Sequence, residues 1–249
     1  MPPFARPTTP MTAPRFRLIT LDLDDTLWPC APIIRTAEEG LFDWLRRHAP
    51  RLAERHDIVS LQRHRQAIMA ESPRIAHDLG LVRRRSLSEL LAAHDYPTEL
   101  ADAALRVFLD LRNQVTPYPD VRPALERLAV RYCLVSITNG NADVESTPLR
   151  GLFHHNLTAA LAGTAKPDPA IFTQALALAG CAPHQCLHLG DDPWTDVQAA
   201  RDAGLGAVWI NRGARAWPDA LTPPWLTVTD LDQFVAWLDG AATGETDGI

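Results

Sequence analysis

Between Tyr132 and Ile210, short runs of β-forming apolar residues alternate with segments of helical periodicity, and this alternation constrains the fold more than any other feature. The runs are Tyr132–Ile137 (YCLVSI), Leu157–Leu161, Gln185–Leu189 and Ala207–Ile210. Helices are predicted over Val121–Val130, Asp168–Gly180, Pro193–Gly204 and Leu231–Leu238. A strand that reaches the next strand through a helix re-enters the sheet in the same direction, so the sheet is parallel, with right-handed crossovers. One more run, Phe16–Leu21 (FRLITL), stands alone near the N-terminus and runs straight into Asp22-Leu23-Asp24-Asp25-Thr26. The prediction is a doubly wound α/β parallel sheet whose first strand is separated from the rest.

The separating segment is all helical. From Ala31 to Gln114 strand signals vanish and apolar residues recur at helical spacing, as in Ile34/Ala37/Leu41/Trp44/Leu45 and Leu87/Leu90/Leu91. Arginines crowd it, including Arg83-Arg84-Arg85. Thr116-Pro117-Tyr118-Pro119-Asp120 reads as the linker back. The expected organisation is a core over residues 15–28 and 118–240 with a helical insert over 29–117. Residues 1–14, rich in proline and threonine, are expected to be a disordered lead-in, and 241–249 a flexible tail.

Composition removes several function classes. The chain of 249 residues is 46% apolar and 22% charged, in the range of ordinary globular proteins. A net charge of −6 argues against general nucleic-acid binding. No apolar run reaches membrane-spanning length, and the N-terminal stretch lacks the apolar centre of a secretory signal, so a cytoplasmic location is expected. Cys30, Cys133, Cys181 and Cys186 form no C-x-x-C pair and are expected to be reduced thiols. Of the 24 lysines and arginines only Lys166 is lysine.

Four elements fall at predicted strand ends: D-L-D-D-T (22–26), S-I-T-N-G (136–140), Lys166-Pro167 and G-D-D-P-W-T-D (190–196). In open parallel sheets, sites form beyond the carboxyl ends of the strands, so these segments can meet. Asp22 and Asp24, two apart on a strand leaving the sheet, share a side and can divide the roles of nucleophile and proton carrier. The Thr138 hydroxyl and the N–H groups of Asn139 and Gly140 can hold phosphate oxygens, or simply form a turn. Lys166 can neutralise a transferred phosphoryl group. Asp191, with substrate and water oxygens, suits Mg²⁺. Asp192 before Pro193 fits a helix cap. Asp196, one turn on, can orient Lys166 or a metal-bound water, or merely answer the helix dipole.

In order and spacing these elements resemble the haloacid dehalogenase-like hydrolase superfamily over roughly residues 15–240. L-I-T-L-D-L-D-D-T-L is similar to its first motif, L-V-S-I-T-N to its second, Lys166 to its third and G-D-D-P-W-T-D to its fourth. The resemblance implies a Rossmann-like core with the insert as an α-helical cap. It implies that Asp22 attacks phosphorus to give an aspartyl-phosphate and that Asp24 protonates the leaving oxygen and later deprotonates water. It implies phosphoryl binding by Thr138, Asn139 and Lys166. Mg²⁺ would be bound by Asp22, the backbone carbonyl of Asp24, and Asp191, with a small-molecule phosphate ester as substrate. Finer likeness, in D-L-D-D-T-L-W-x-x-x-P-I-I-R-T-x-x-E, in R-Q-A-I-M-A-E-S-P-R-I-A-H-D of the cap and in I-T-N-G-N, is to bacterial flavin mononucleotide phosphatases, which resemble enzymes acting on 5-amino-6-(5-phosphoribitylamino)uracil. The cap differs from theirs at many positions, including Leu81, Val82 and Arg84.

Alternatives follow from the same residues. Dehalogenases of this superfamily lack the second acid, since a departing halide needs no proton; Asp24 favours an ester. Phosphonatases need a cap lysine, and this insert has none. Other sugar phosphates or nucleotide monophosphates remain alternative substrates. Outside the enzymes, signalling receiver domains also gather acids, a threonine and a lysine around a phosphorylated aspartate, but they are shorter and carry no insert. Arg83 and Arg85 are candidate substrate contacts from the cap, or part of a solvated charged face. Trp28 either stacks on a substrate ring or packs between core and cap.

Overall fold

Strand β1 (Leu18–Leu21) is buried at all four residues and lies at the centre of the molecule, as an uninterrupted apolar strand must in a parallel sheet covered on both faces. The computed structural model describes residues 16–243, with side chains to residue 240. The expected lead-in at 1–14 and the last residues of the expected tail, 244–249, lie outside these. The remaining strands are β2 (Cys133–Thr138), β3 (His155–Thr158), β4 (Cys186–Gly190), β5 (Gly206–Ile210) and β6 (Leu226–Val228). All neighbours are parallel, in the order β3-β2-β1-β4-β5-β6. This is the predicted doubly wound α/β sheet. Leu21 pairs with Ser136 on one side and Leu189 on the other, so three strands end level with Asp22.

Five helices lie between β1 and the rest of the sheet: α1 (Cys30–His48), α2 (Pro50–Arg55), α3 (Ile58–Glu71), α4 (Leu79–Ala93) and α5 (Leu100–Arg112). Asp57 caps α3 by accepting from Ser60 N at 2.7 Å, and Asp78 caps α4 by accepting from Leu81 N at 2.8 Å. Leu41, Leu45, Leu61, Leu87, Leu91 and Phe108 belong to an apolar cluster distinct from those of the sheet. The insert thus buries a core of its own.

Helical rotation splits the arginine run. Arg83 points inward: its Nη2 donates to Glu38 Oε1 at 2.6 Å and its guanidinium lies 3.3 Å from the centre of the Phe108 ring. Arg84 pairs with Asp102 and Arg85 with Glu89, both near the surface. Glu38 also accepts from Arg65, so one buried carboxylate holds two arginines. Arg83→Ala should therefore cost on the order of 3 kcal/mol, by removing one of the two cations that hold buried Glu38 and by emptying the space against the Phe108 ring. Arg85→Ala should change stability by less than about 0.5 kcal/mol. Urea unfolding of the two variants checks this.

The chain then gives α6 (Val121–Ala129), α7 (Ala159–Ala162), α8 (Pro169–Ala179), α9 (Ala199–Asp202) and α10 (Leu231–Thr243). Side chains alternate across the strands: Ile19, Leu21 and Leu134 meet α6 and α10, while Leu18, Val135 and Ile137 meet α8 and α9.

Four local differences from the sequence reading have physical causes. The predicted strand Leu157–Leu161 instead occupies His155–Thr158, because Thr158 Oγ1 accepts from Leu161 N at 3.2 Å and opens α7. β6 was not foreseen: three residues carry little periodicity, and only pairing with β5 makes them a strand. The predicted helix Pro193–Gly204 begins with π geometry over Pro193–Gln198 and continues as α9. The closing helix extends beyond Leu238 to Thr243, into the span expected to be a loose tail.

Candidate active site

The strand order reverses between β1 and β4, the place where open parallel sheets form sites beyond the carboxyl ends of their strands. Asp22 is the first residue past β1 and is anchored through its N–H to Leu189 O at 2.9 Å. Its Oδ2 accepts from Thr26 Oγ1 at 3.0 Å, and its Oδ1 lies 2.6 Å from Lys166 Nζ. The loop then turns tightly, with Asp25 N bonded to Trp28 O at 2.8 Å and Asp25 at φ 59°, a conformation aspartate tolerates better than most residues.

Lys166, 4% exposed, uses all three ammonium donors: Asp22 Oδ1 at 2.6 Å, Asp196 Oδ1 at 2.5 Å and Ile137 O at 3.1 Å. Asn139 fixes its backbone from both sides, accepting from Lys166 N at 2.7 Å and donating to Lys166 O at 2.8 Å. The Asn139 side chain is thus occupied with placing the lysine, and the part of Asn139 expected to meet phosphate oxygens is its backbone N–H. Thr138, buried at the end of β2, accepts from Gly140 N at 2.9 Å.

Asp196 Oδ1 faces Lys166 and, at 3.3 Å, His188 Nε2; its Oδ2 accepts from Asp192 N at 3.0 Å. Gly190 makes this possible, because a Cβ there would lie 2.2 Å from the Asp196 carboxyl carbon. Asp192 itself caps the helical segment, its Oδ1 accepting from Trp194 N and Thr195 N. Asp191 lies further out, with its Oδ2 3.0 Å from Arg215 Nη2.

Electrostatics separate these acids. Burial pushes Asp22 up to about 8, reinforced by Asp196 and Asp24 and opposed by Lys166. Burial also pushes Asp191 up to about 6. Burial would raise Asp196 as well, but the Lys166 ammonium and His188 override it and hold the carboxyl well below its usual range. Burial lowers the His188 imidazole from its ordinary value, opposed by Asp196. Asp22, Asp191 and Asp196 each bring an oxygen within 4.8 Å of one another, so the group could hold a metal ion.

Asp24 carries a partner that sequence reasoning missed. Arg112, the last residue of α5 and 1% exposed, donates from Nη2 to both Asp24 oxygens at 2.6 Å. Trp28 Nε1 donates to Asp24 Oδ1 at 2.9 Å. Trp28 is fully buried, packed in the core and bonded to the acid. One arginine among many gives no signal in sequence. His188 gives a weak one, as a polar residue inside the apolar run C-L-H-L-G. Arg83 lies inside the insert, and Arg85 on its surface is bonded to Glu89 and Ser72.

A family model described as haloacid dehalogenase-like hydrolase matches residues 16–204. The chain is 32% identical to the 5-amino-6-(5-phospho-D-ribitylamino)uracil phosphatase YigB of Escherichia coli, over 79% of this chain and 84% of that protein. It is 31% identical to a phosphoserine phosphatase of Thermus thermophilus, over 86% of this chain and 96% of that protein. Among solved structures, one described as a 2-haloacid dehalogenase from Pseudomonas syringae pv. Tomato superposes with TM-score 0.85 at 39% identity, covering 90% of this chain and 98% of that one.

Proposed function

We propose that this chain, which belongs to the haloacid dehalogenase-like hydrolase family, is a phosphatase that cleaves a small-molecule phosphate monoester through an aspartyl-phosphate. The carrying observation is Asp24, an acid two residues beyond Asp22 and held by Arg112 and Trp28. Displacing a halide requires no proton carrier, whereas an alkoxide leaving group does. The phosphatase names of the two sequence relatives support the same reading, against the dehalogenase description of the structural neighbour.

In this reading an Asp22 oxygen attacks phosphorus as the ester P–O bond breaks, and Asp24 delivers its proton to the departing oxygen. Asp24 then takes a proton from water, which attacks the aspartyl-phosphate, releases phosphate and restores Asp22. Thr138 and the Asn139 N–H bind the phosphoryl oxygens, and the Lys166 ammonium neutralises their charge, passing its Asp22 bond to a phosphoryl oxygen as Asp22 attacks. Asp196 holds Lys166 in place through the contact between Oδ1 and Nζ. The five inserted helices act as a cap over this site.

Carboxylate oxygens suit Mg²⁺. Asp22 and Asp191 would hold the ion, with the Asp24 carbonyl as the family resemblance implies, while Asp196, bonded to Lys166 and to Asp192 N, places the lysine. Bound there, Mg²⁺ would neutralise phosphoryl charge and shield the nucleophile from its anionic target. Exhaustive chelation should abolish hydrolysis of p-nitrophenyl phosphate, and Mg²⁺ should restore it; full activity in excess chelator would refute the metal assignment.

For substrate we favour a ribityl phosphate or flavin mononucleotide, with another sugar phosphate or a nucleotide monophosphate next. A cleft of about 350 Å³ beside Gly140 lies between the insert (His77, Leu79, Leu109) and the core (Asn141, Val144, Thr158), and its mainly apolar lining gives room for a leaving group with an apolar face. Four unpaired thiols support a reducing, cytoplasmic setting, and no helix among the described residues is long and apolar enough to cross a membrane. Head-to-head assays of phosphorylated metabolites and of 2-chloropropionate decide the reading. Ester hydrolysis with no halide release is expected, and the reverse would overturn it.

A further inference from the structure

The proton carrier of the core is gripped by a residue of the insert. Arg112 closes α5, the last inserted helix, and α5 packs along α1. Its guanidinium is buried, and Nε and Nη1 have no partner, so Nη2 and its two bonds to Asp24 are its polar engagement. Among the described residues no other cation bonds Asp24. Trp28 Nε1 fixes Oδ1 from the core side. Oδ2 is directed at the second motif: a Cβ on Gly140 would lie 2.8 Å from Asp24 Oδ2, 3.2 Å from Thr138 Oγ1 and 3.4 Å from Arg112 Nη2. Gly140 thus lets the carboxylate come close to the turn that would cradle the phosphoryl group. The next residue, Asn113, accepts from Asp143 N at 2.9 Å and ties the end of α5 to the same side of the core.

Resting on the phosphatase reading above, we propose that Arg112 is a positioning residue that sets the orientation of Asp24 from the insert, so that the proton carrier is aligned only while α5 sits on the core. A charge-assisted bond at 2.6 Å to each oxygen leaves the carboxylate little rotational freedom. Without Arg112, the single Trp28 bond would allow rotation about Cβ–Cγ and Cα–Cβ. Positioning errors of this kind cost rate because proton transfer needs hydrogen-bond reach to the leaving oxygen.

The test separates proton donation from fold and binding. For Arg112→Met, Arg112→Lys, Asp24→Asn and the double variant Asp24→Asn/Arg112→Met, kcat/KM is measured with p-nitrophenyl phosphate, whose leaving group needs little protonation, and with glycerol phosphate, whose alkoxide needs much. Thermal melts accompany each variant. Arg112→Met should lose on the order of 10²-fold with the alkyl ester and less than tenfold with the aryl ester. Arg112→Lys, keeping one charged donor, should recover part of the alkyl loss. The double variant should be no slower than Asp24→Asn alone. Equal losses on both esters, or multiplicative losses in the double variant, would overturn the proposal and leave Arg112 a structural ion pair. If Arg112→Met does not fold, the same leaving-group comparison on Arg112→Lys decides. Absence of ester hydrolysis by the unaltered enzyme would instead strike the phosphatase reading.

Discussion

Asp22→Asn should reduce turnover by on the order of 10⁴-fold or more, leaving no phosphoryl-enzyme to trap. The amide is nearly isosteric: its oxygen can still accept from Lys166 Nζ, and its NH2 can donate to Thr26 Oγ1, whose hydroxyl now donates to the carboxylate. What it lacks is the charged oxygen that forms the bond to phosphorus. The fold should tolerate the change. Burial pushes the Asp22 carboxyl up to about 8, so below that pH folding favours its protonated form and at neutral pH works against its charge. The neutral amide removes this cost, and Tm should not fall. Calorimetry and single-turnover quench assays check both halves. Near-native rates in Asp22→Asn would require another nucleophile.

Lys166→Arg should lose on the order of 10²-fold in kcat/KM although the charge is kept. Arginine serves at every other basic position of the chain, but here the ammonium sends three donors in tetrahedral directions to Asp22 Oδ1, Asp196 Oδ1 and Ile137 O, at 2.6, 2.5 and 3.1 Å. A guanidinium is planar and longer, and its fork cannot reproduce three divergent bonds from one atom. The site has no slack to absorb it, since the Lys166 side chain is 2% exposed. Asn139 further pins the backbone from both sides. Lys166→Met measures the loss of charge, and circular dichroism reports folding of each variant. An arginine variant as fast as the unaltered enzyme would show that charge alone matters at this position.

The sequence alone determined the class of fold and the main acids of the site. Alternating strand and helix periodicities require a parallel sheet, and residues that end strands of such a sheet share one edge. Asp22, Thr138 and Asp191 were legible for that reason, since they lie at or just past the ends of β1, β2 and β4, whereas Lys166 lies in the loop beyond α7. The lone lysine was legible from composition. Tertiary structure alone decided what each side chain touches. Arg112 is 88 positions from Asp24 in the chain, and no periodicity of α5 distinguishes its last residue from any other helical arginine. Arg83 read either as a substrate contact from the cap or as part of a solvated charged face; the packing of α4 against Glu38 and Phe108 put it inside. That the Asn139 side chain holds the Lys166 backbone was decided only when the fold laid the two segments together. β6 became a strand only because β5 offered an unpaired edge. Periodicity and strand ends are local properties, written in residues close together in the chain. Hydrogen-bond partners are chosen after the chain has folded back on itself, by whichever donor arrives within about 3 Å, and that choice is made by packing.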